Sequence, residues 1–408
     1  MLTAHLAYEI NESLRVEGAA RRVFVVFDQA EVRTLGPLDL ETLTVPRSRA
    51  RELELAEDQI NLRGLVDARF ATGPVAHDLT VGYERFEFDV FVANRSVPGD
   101  AVTPISVTAP VYSETPLPLG APFVFTIGRN THEVFAQDVA RFGGTTVTAA
   151  VRHIEADFGD SFGVDEALTE TLGQLGAAYA LTDAVSIFAG YASGFDANAG
   201  LATERSRTGA RFDPETYGQV EIGLKTGDWR GVTATASVFE LTGEDILVTD
   251  PQDAAFLVQV GEERSRGFEA DVLWSPIDAL ALRAGYLYLD AEVTEDTDPL
   301  RVGRIRPGAP EHRANLFAAY TIPAGLLAAL TLTGTVTYNG EAFASVDNDL
   351  VQSDYALLDL GASYTIGRVR LDAFASNVTD ERYFTARNEL TVNPGDSRLV
   401  RVRAAIAF

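Results

Sequence analysis

The chain has 408 residues, 46% of them hydrophobic, and no run of about 18 apolar residues, which excludes a helical membrane span. Its formal net charge is −26, with Lys225 the single lysine, and such a surface repels phosphate and argues against nucleic-acid partners. The absence of cysteine removes disulfide staples, thiol catalysis and cysteine-ligated metal together.

Ala4 to Ile10 and Leu14 to Phe27 read as strands joined by the polar turn Asn11-Glu12-Ser13. Asp28 to Asp58 has proline, charge and no sustained period, and is expected to be irregular. Gln59 to Ala71 and Asp78 to Ala93 form the next pair, across residues 72 to 77. In the second of these the apolar parity moves from Leu79, Val81 and Tyr83 to Phe86, Phe88 and Val90, which predicts a β-bulge near Glu84 or Arg85. Asn94 to Asn130 is proline-rich and reads as a long loop, and Thr131 to Phe142 pairs with Thr145 to Asp157 across Gly143-Gly144.

The rhythm continues with Glu170 to Leu181 and Val185 to Ser193, Glu215 to Thr226 and Gly231 to Leu241, and Arg264 to Trp274 and Ala279 to Ala291. His312 to Ile322 with Leu326 to Asn339, Asp354 to Ile366 with Arg368 to Asn377, and a lone final strand complete it. These are roughly seventeen strands, with connections alternating between two or so residues and a dozen or more. Long strands with short turns at one end and long loops at the other fit an outer-membrane barrel, whereas a sandwich has shorter strands and no such asymmetry.

Face content agrees. Leu332, Gly334, Val336 and Tyr338 oppose Thr331, Thr333, Thr335 and Thr337, while Phe268, Ala270, Val272 and Trp274 oppose Glu269 and Asp271. Leu358, Leu360, Ala362, Tyr364 and Ile366 oppose Asp359, Ser363 and Thr365, and aromatics such as Trp274, Tyr320, Tyr338 and Tyr364 fall near strand ends, where interfacial girdles belong. In the last strand Val400, Val402, Ala404, Ile406 and Phe408 share one face, opposite Arg401, Arg403, Ala405 and Ala407. The fold class expected is all-β, an antiparallel transmembrane barrel closed so that every strand edge is paired.

The five histidines have no metal-ligand spacing, and no serine lies in a recognisable nucleophile motif with histidine and acid partners, so neither a metal site nor an enzyme is expected. Asp245, Asp250, Asp253, Asp347 and Asp349 lie in loops but lack a dedicated calcium-loop spacing.

From about Tyr191 to Phe408 the sequence resembles the carboxyl-terminal barrel of TonB-dependent outer-membrane receptors, in particular the siderophore-receptor branch. The resemblance is carried by Tyr191-Ala192-Ser193-Gly194-Phe195, the run Phe212 to Lys225, Glu263 to Glu269, Pro310 to Ala314, Asn377-Val378-Thr379-Asp380-Glu381-Arg382-Tyr383-Phe384 and the terminal strand. It implies a barrel of about 22 strands around an amino-terminal plug, which imports iron chelates across the outer membrane of a Gram-negative bacterium with energy from an inner-membrane complex. The chain is read as a single barrel domain over 1–408, amino-terminally truncated, lacking the plug and about five strands; contact with TonB is expected only through the missing plug, and energised uptake by these residues alone is not expected. No signal peptide is visible at Met1, in keeping with a start inside a longer parent. The alternative is a passive pore or structural barrel.

Further expectations rest on the same resemblance. An iron-siderophore-like ligand is met by aromatic and arginine side chains of the outer loops and upper lumen. By position these are Tyr112, Phe123, Phe125, Tyr191, Phe195 and Phe212, with Arg205 and Arg211 as partners for an anionic chelate. Val402, Ala404, Ile406 and Phe408 form the insertion signal offered to the barrel-assembly machinery, and outer-membrane lipid covers the apolar face. No cofactor is implied, since the iron arrives already chelated.

Overall fold

The computed structural model describes every residue except 35–41, 43, 46, 97–104, 107, 109–118, 164, 198–205, 208–211, 251, 254, 389–390 and 407–408. Among the described residues there are 23 strands and no helix; seventeen strands belong to one sheet, and the other six form three short two-stranded ribbons. The chain divides into two compact units, Met1–Ala140 with Thr148–Gly173, and Arg141–Val147 with Gln174–Phe408.

The first unit contains β1 (Leu2–Asn11), β2 (Leu14–Thr34), β3 (Thr44–Val45), β4 (Arg47–Thr72), β5 (Val75–Ser96), β6 (Ile105–Ser106), most of β7 (Phe123–Phe142) and β8 (Thr145–Asp160), and the start of β9 (Asp165–Ala180). Expected strand pairs recur here, but the strands are longer. The segment expected to be irregular, Asp28 to Asp58, instead carries β2 on to Thr34 and β4 back to Arg47, because Asp28 to Arg33 pair one for one with Glu54 to Arg49. The β4–β5 connection is only Gly73-Pro74, with Gly73 at φ 61°. The loop expected after Asp157 shrinks to residues 161–164.

On the side that pairs with β4, no bulge interrupts β5 near Glu84 or Arg85. Its pairing with β4 is unbroken from Thr72↔Val75 to Arg51↔Ser96. What changes along the strand is the surrounding medium. Low on the strand Val81 and Tyr83 are exposed, in register with exposed Val66 and with Gly64. Higher up, Arg85, Glu87 and Asp89 occupy that same face, and the opposite face turns apolar: Val90 and Val92 are buried with Leu53, and Leu55, Phe88 and Phe125 pack on them. Beneath this core the same inner face is polar, with Glu17 paired to His5, Arg15 and Arg63, and Thr80 donating to Asp67.

The second unit holds the rest of β9 and then β10 (Val185–Asp196), β11 (Glu215–Thr226), β12 (Val232–Thr249), β13 (Leu257–Ile277), β14 (Leu280–Glu295), β15 (His312–Thr321), β16 (Thr331–Asn339), β17 (Ala342–Phe343), β18 (Val351–Gln352), β19 (Tyr355–Ile366), β20 (Val369–Ser376), β21 (Phe384–Asn388), β22 (Thr391–Pro394) and β23 (Leu399–Ile406). Neighbouring sheet strands pair antiparallel from β9 to β23. A bulge does occur here, in β12 between Gly243 and Ile246, where Asp245 takes φ 59°. The strand expected from Leu326 begins at Thr331, and Ile322 to Leu330 is a folded turn.

Register aligns the apolar residues of successive strands into one face. Ile222, Val238, Phe268 and Tyr288 form one cross-strand row, and Leu282, Ala318, Gly334, Leu360, Ala375 and Val400 another. Leu332 is 44% exposed, Val336 42% and Phe268 38%, so no second sheet covers them. So large an exposed apolar face belongs against hydrocarbon. The opposite face is packed across strands by rings laid over glycines: Phe188 faces Gly223, Phe239 faces Gly267 and Tyr217 faces Gly243. A Cβ at Gly223 would stand 2.6 Å from the Phe188 ring and 2.6 Å from the Ala236 carbonyl oxygen, so only glycine fits there.

Candidate functional site

The long-connection end of each unit gathers the side chains suited to ligand contact. In the first unit Phe123, Phe125 and Phe162 form an aromatic cluster with centroids 5.7 to 5.8 Å apart. Phe125 rests on the Leu53, Val90 and Val92 core, while Phe123 and Phe162 stay more than half exposed. The turn that presents Phe162 is fixed: the Ser161 amide donates to the Thr126 carbonyl at 3.0 Å, and the Phe162 amide to Asp160 Oδ1 at 2.8 Å. Nearby, Arg129 lies 5.0 Å above the Phe86 ring. Asn94, paired with Leu53 in register, has a buried Oδ1 with no hydrogen-bond partner among the described residues.

In the second unit charge marks where the apolar face ends. The cross-strand row Val220, Glu240, Arg266 and Asp290 brings charged groups onto that face, with Arg266 bonded to Glu240. Beyond this row and on the other face, Tyr217, Gly243 and Glu263 are in register. The Tyr217 hydroxyl donates to Glu215 Oε2 at 2.8 Å, and burial followed by the Glu215 carboxylate pushes its pKa up to about 12. Glu263 pairs with Arg306 at 3.0 Å; burial raises its carboxyl, Arg306 opposes the shift, and Glu215 adds to it. Glu215 also accepts the Leu247 amide at 3.1 Å.

The segment leading into β11 is strapped to the β12–β13 tip. Arg207 pairs with Asp250 at 2.9 Å and lies 5.5 Å above the Phe256 ring, while the Asp213 amide donates to Gln259 Oε1 at 2.8 Å. The Gln252 amide, and after it the Arg207 guanidinium, hold the Asp250 carboxyl below its ordinary value. Phe212 sits half-buried within this strap.

The candidates expected from the sequence therefore separate. Phe123 and Phe125 come together, and Phe212 lies at the strap. Tyr191 and Phe195 share the face of Ile187 and Ala189, with Tyr191 in register with Val220 and half exposed. Tyr112, Arg205, Arg211 and Phe408 lie outside the described residues. Val402, Ala404 and Ile406 share the apolar face with Ala373, Leu371 and Val369. Sequence reasoning did not single out Phe162, Arg207, Glu263 or Arg306. The polar partners come together from residues 43 apart, so no local spacing announces them, whereas Phe162 beside Asp160 and Gly163 carried a readable turn signal.

The sequence profile of the family described as "TonB dependent receptor-like, beta-barrel" matches residues 6–378. The chain belongs to this family. It is 30% identical over 353 residues to the metal-pseudopaline receptor CntO of Pseudomonas aeruginosa (strain UCBPP-PA14), covering 80% of this chain and 48% of that protein. Over 323 residues it is 27% identical to the ferrichrome outer membrane transporter/phage receptor of Escherichia coli (strain K12), covering 74% and 41%. The chain thus spans about half the length of these relatives. Its fold matches that of BauA, the ferric preacinetobactin receptor from Acinetobacter baumannii, with a TM-score of 0.86 at 23% identity, over 98% of this chain and 61% of that one. TonB-dependent receptors are receptors and transporters of the Gram-negative outer membrane, and that is where this chain resides.

Proposed function

We propose that the chain forms the barrel wall, one domain over 1–408, of a receptor that takes up an iron-siderophore or similar metal chelate, energised by TonB acting through a plug. The observation that carries the reading is the Phe123, Phe125 and Phe162 cluster: rings exposed at the loop end but anchored on a buried base offer rigid aromatic area to a bulky chelate. Phe212, Arg205, Arg211 and Tyr112 are the further loop contacts. Tyr191 and Phe195 serve the membrane boundary in this reading, because they share the face of Ile187 and Val220.

Lipid covers the apolar face, the barrel-assembly machinery reads Val402, Ala404, Ile406 and Phe408, and the chain transports without catalysing a reaction. The test is binding of ferric hydroxamate and ferric catecholate complexes to the full-length protein, followed by calorimetry. Phe162→Ala is expected to weaken binding about tenfold, the loss of one stacked ring. An unchanged affinity removes the cluster from the site, and no binding of any metal chelate sinks the receptor reading.

A further inference from the structure

The connection from Ile322 to Leu330, Ile-Pro-Ala-Gly-Leu-Leu-Ala-Ala-Leu, is the longest at the short-turn end of the sheet and has no polar side chain. Its counterparts Gly73-Pro74, Gly143-Gly144, Asp278-Ala279 and Gly367-Arg368 are tight two-residue turns. Leu326 is 97% exposed and Leu327 is half exposed. Leucines so placed have no reason to face water.

The turn is also built to leave water. The Ile322 amide donates to the Leu330 carbonyl at 2.9 Å, Ala329 to Ile322 at 2.8 Å, Leu330 to Leu327 at 3.0 Å and Ala328 to Gly325 at 3.1 Å. Closing that ring of bonds holds Ala329 at φ 68°, a conformation an alanine rarely adopts, and Gly325 at φ 94°. The Leu326 carbonyl accepts from the Tyr364 hydroxyl at 3.1 Å. Tyr364 belongs to the apolar face, with Ala362 and Leu360, beside the row that joins Tyr320 to Leu332. That bond draws the tip of the turn toward the membrane side of the sheet. A backbone that satisfies its own polar groups is what an apolar medium requires.

We infer that Ile322 to Leu330 is a lipid anchor: the turn folds onto the apolar face and sets Leu326 and Leu327 into the acyl-chain boundary of the periplasmic leaflet, where short barrel turns lie. The inference rests on the reading that lipid covers the apolar face, and it adds a turn to a surface otherwise made by strands. The occupant is lipid because the anchor is continuous with the Tyr320, Leu332 and Tyr364 surface and carries no charge or hydrogen-bonding side chain to recognise a protein.

These 408 residues contain no cysteine, so within them an introduced cysteine labels one known position. Leu326→Cys, Leu327→Cys, Val336→Cys and Ser13→Cys in the full-length protein, each carrying an environment-sensitive dye, are reconstituted into phosphatidylcholine vesicles. Quenching is measured with iodide from water and with spin-labelled acyl chains from the bilayer. The dyes at positions 326 and 327 are expected to be quenched by the lipid label as at 336, and by iodide at least about fivefold less than at Ser13. Iodide quenching at 326 equal to that at Ser13, with lipid quenching intact at 336, overturns the anchor alone. Shielding at 326 from both quenchers also overturns it, since protein would then cover the turn. Loss of lipid quenching at 336 as well brings down the membrane-facing surface on which the anchor depends.

Discussion

The β4–β5 hairpin and the β15–β16 hairpin obey the same period of two in different surroundings. In β15–β16 the apolar side stays on one face for the full length of the pair, from Tyr320 and Leu332 to Ala314 and Tyr338. In β4–β5 the apolar side changes face partway: Val66 and Val81 are exposed low on the hairpin, but Leu53, Val90 and Val92 are buried on the opposite face at its top. The short hairpin keeps one medium along its length, and the long one passes from lipid into water, where oil must point inward. Alternation alone therefore reports a strand, and the direction of the apolar side reports the solvent.

A charge on the lipid-facing side should break this picture most sharply. Val336→Arg is expected to destabilise the folded protein by roughly 2–4 kcal/mol in vesicles, whereas Thr335→Arg on the polar face changes little, as measured by denaturant titration. Next in size is the buried top of β4: Leu53→Ala should cost about 2–3 kcal/mol through the cavity it leaves. Val81→Ala, on the lipid side, should cost about 1 kcal/mol, because acyl chains fill the space. Equal losses at the two positions would remove the distinction between a protein core and a lipid contact.

Smaller effects probe packing and charge. Gly223→Ala should cost about 1–2 kcal/mol by driving Phe188 off its neighbouring strand, visible as an earlier unfolding midpoint. Asp250, whose carboxyl is depressed below 3.8, contributes its bonds to Gln252 and Arg207 fully above that value and loses them as pH falls through the lower folded-state value. Hydrogen exchange should show the Gln252 amide protected above pH 3.8 and losing that protection only as pH falls below it, with Asp250→Asn lacking that transition.

Much of this was legible in the sequence. Glu215 to Thr226 is the strand that alternation marked, the Gly143-Gly144 turn stands as expected, and seventeen strands make the sheet. The upper reaches were not legible for a physical reason: along β5 the apolar parity changes face where lipid gives way to water, and a search for one-sided alternation reads that as a bulge. The aliphatic run Leu326 to Leu330 misled in the opposite way, since composition favoured a strand while Gly325 and the left-handed Ala329 close a turn. At the candidate site Phe123 and Phe125 were legible only as aromatics of a long loop expected to run to Asn130, whereas β7 begins at Phe123 and sets the two rings on one strand face. Phe162 and the Glu263–Arg306 pair required the fold to bring them in. Asn377, in the Asn-Val-Thr-Asp-Glu-Arg-Tyr block, shows what such a block does locally: its side chain donates to the Glu381 and Asp396 carbonyls and accepts from the Glu381 amide, pinning the loop after β20.

The change of medium along β5 is tested most directly by two cysteines on the same face of that strand, Val81→Cys and Asp89→Cys, labelled in vesicles and exposed to lipid-borne and aqueous quenchers. Quenching from the bilayer at 81 and from water at 89 is the predicted result. Quenching from the same phase at both positions would contradict it, because the strand would then never leave the medium in which it began.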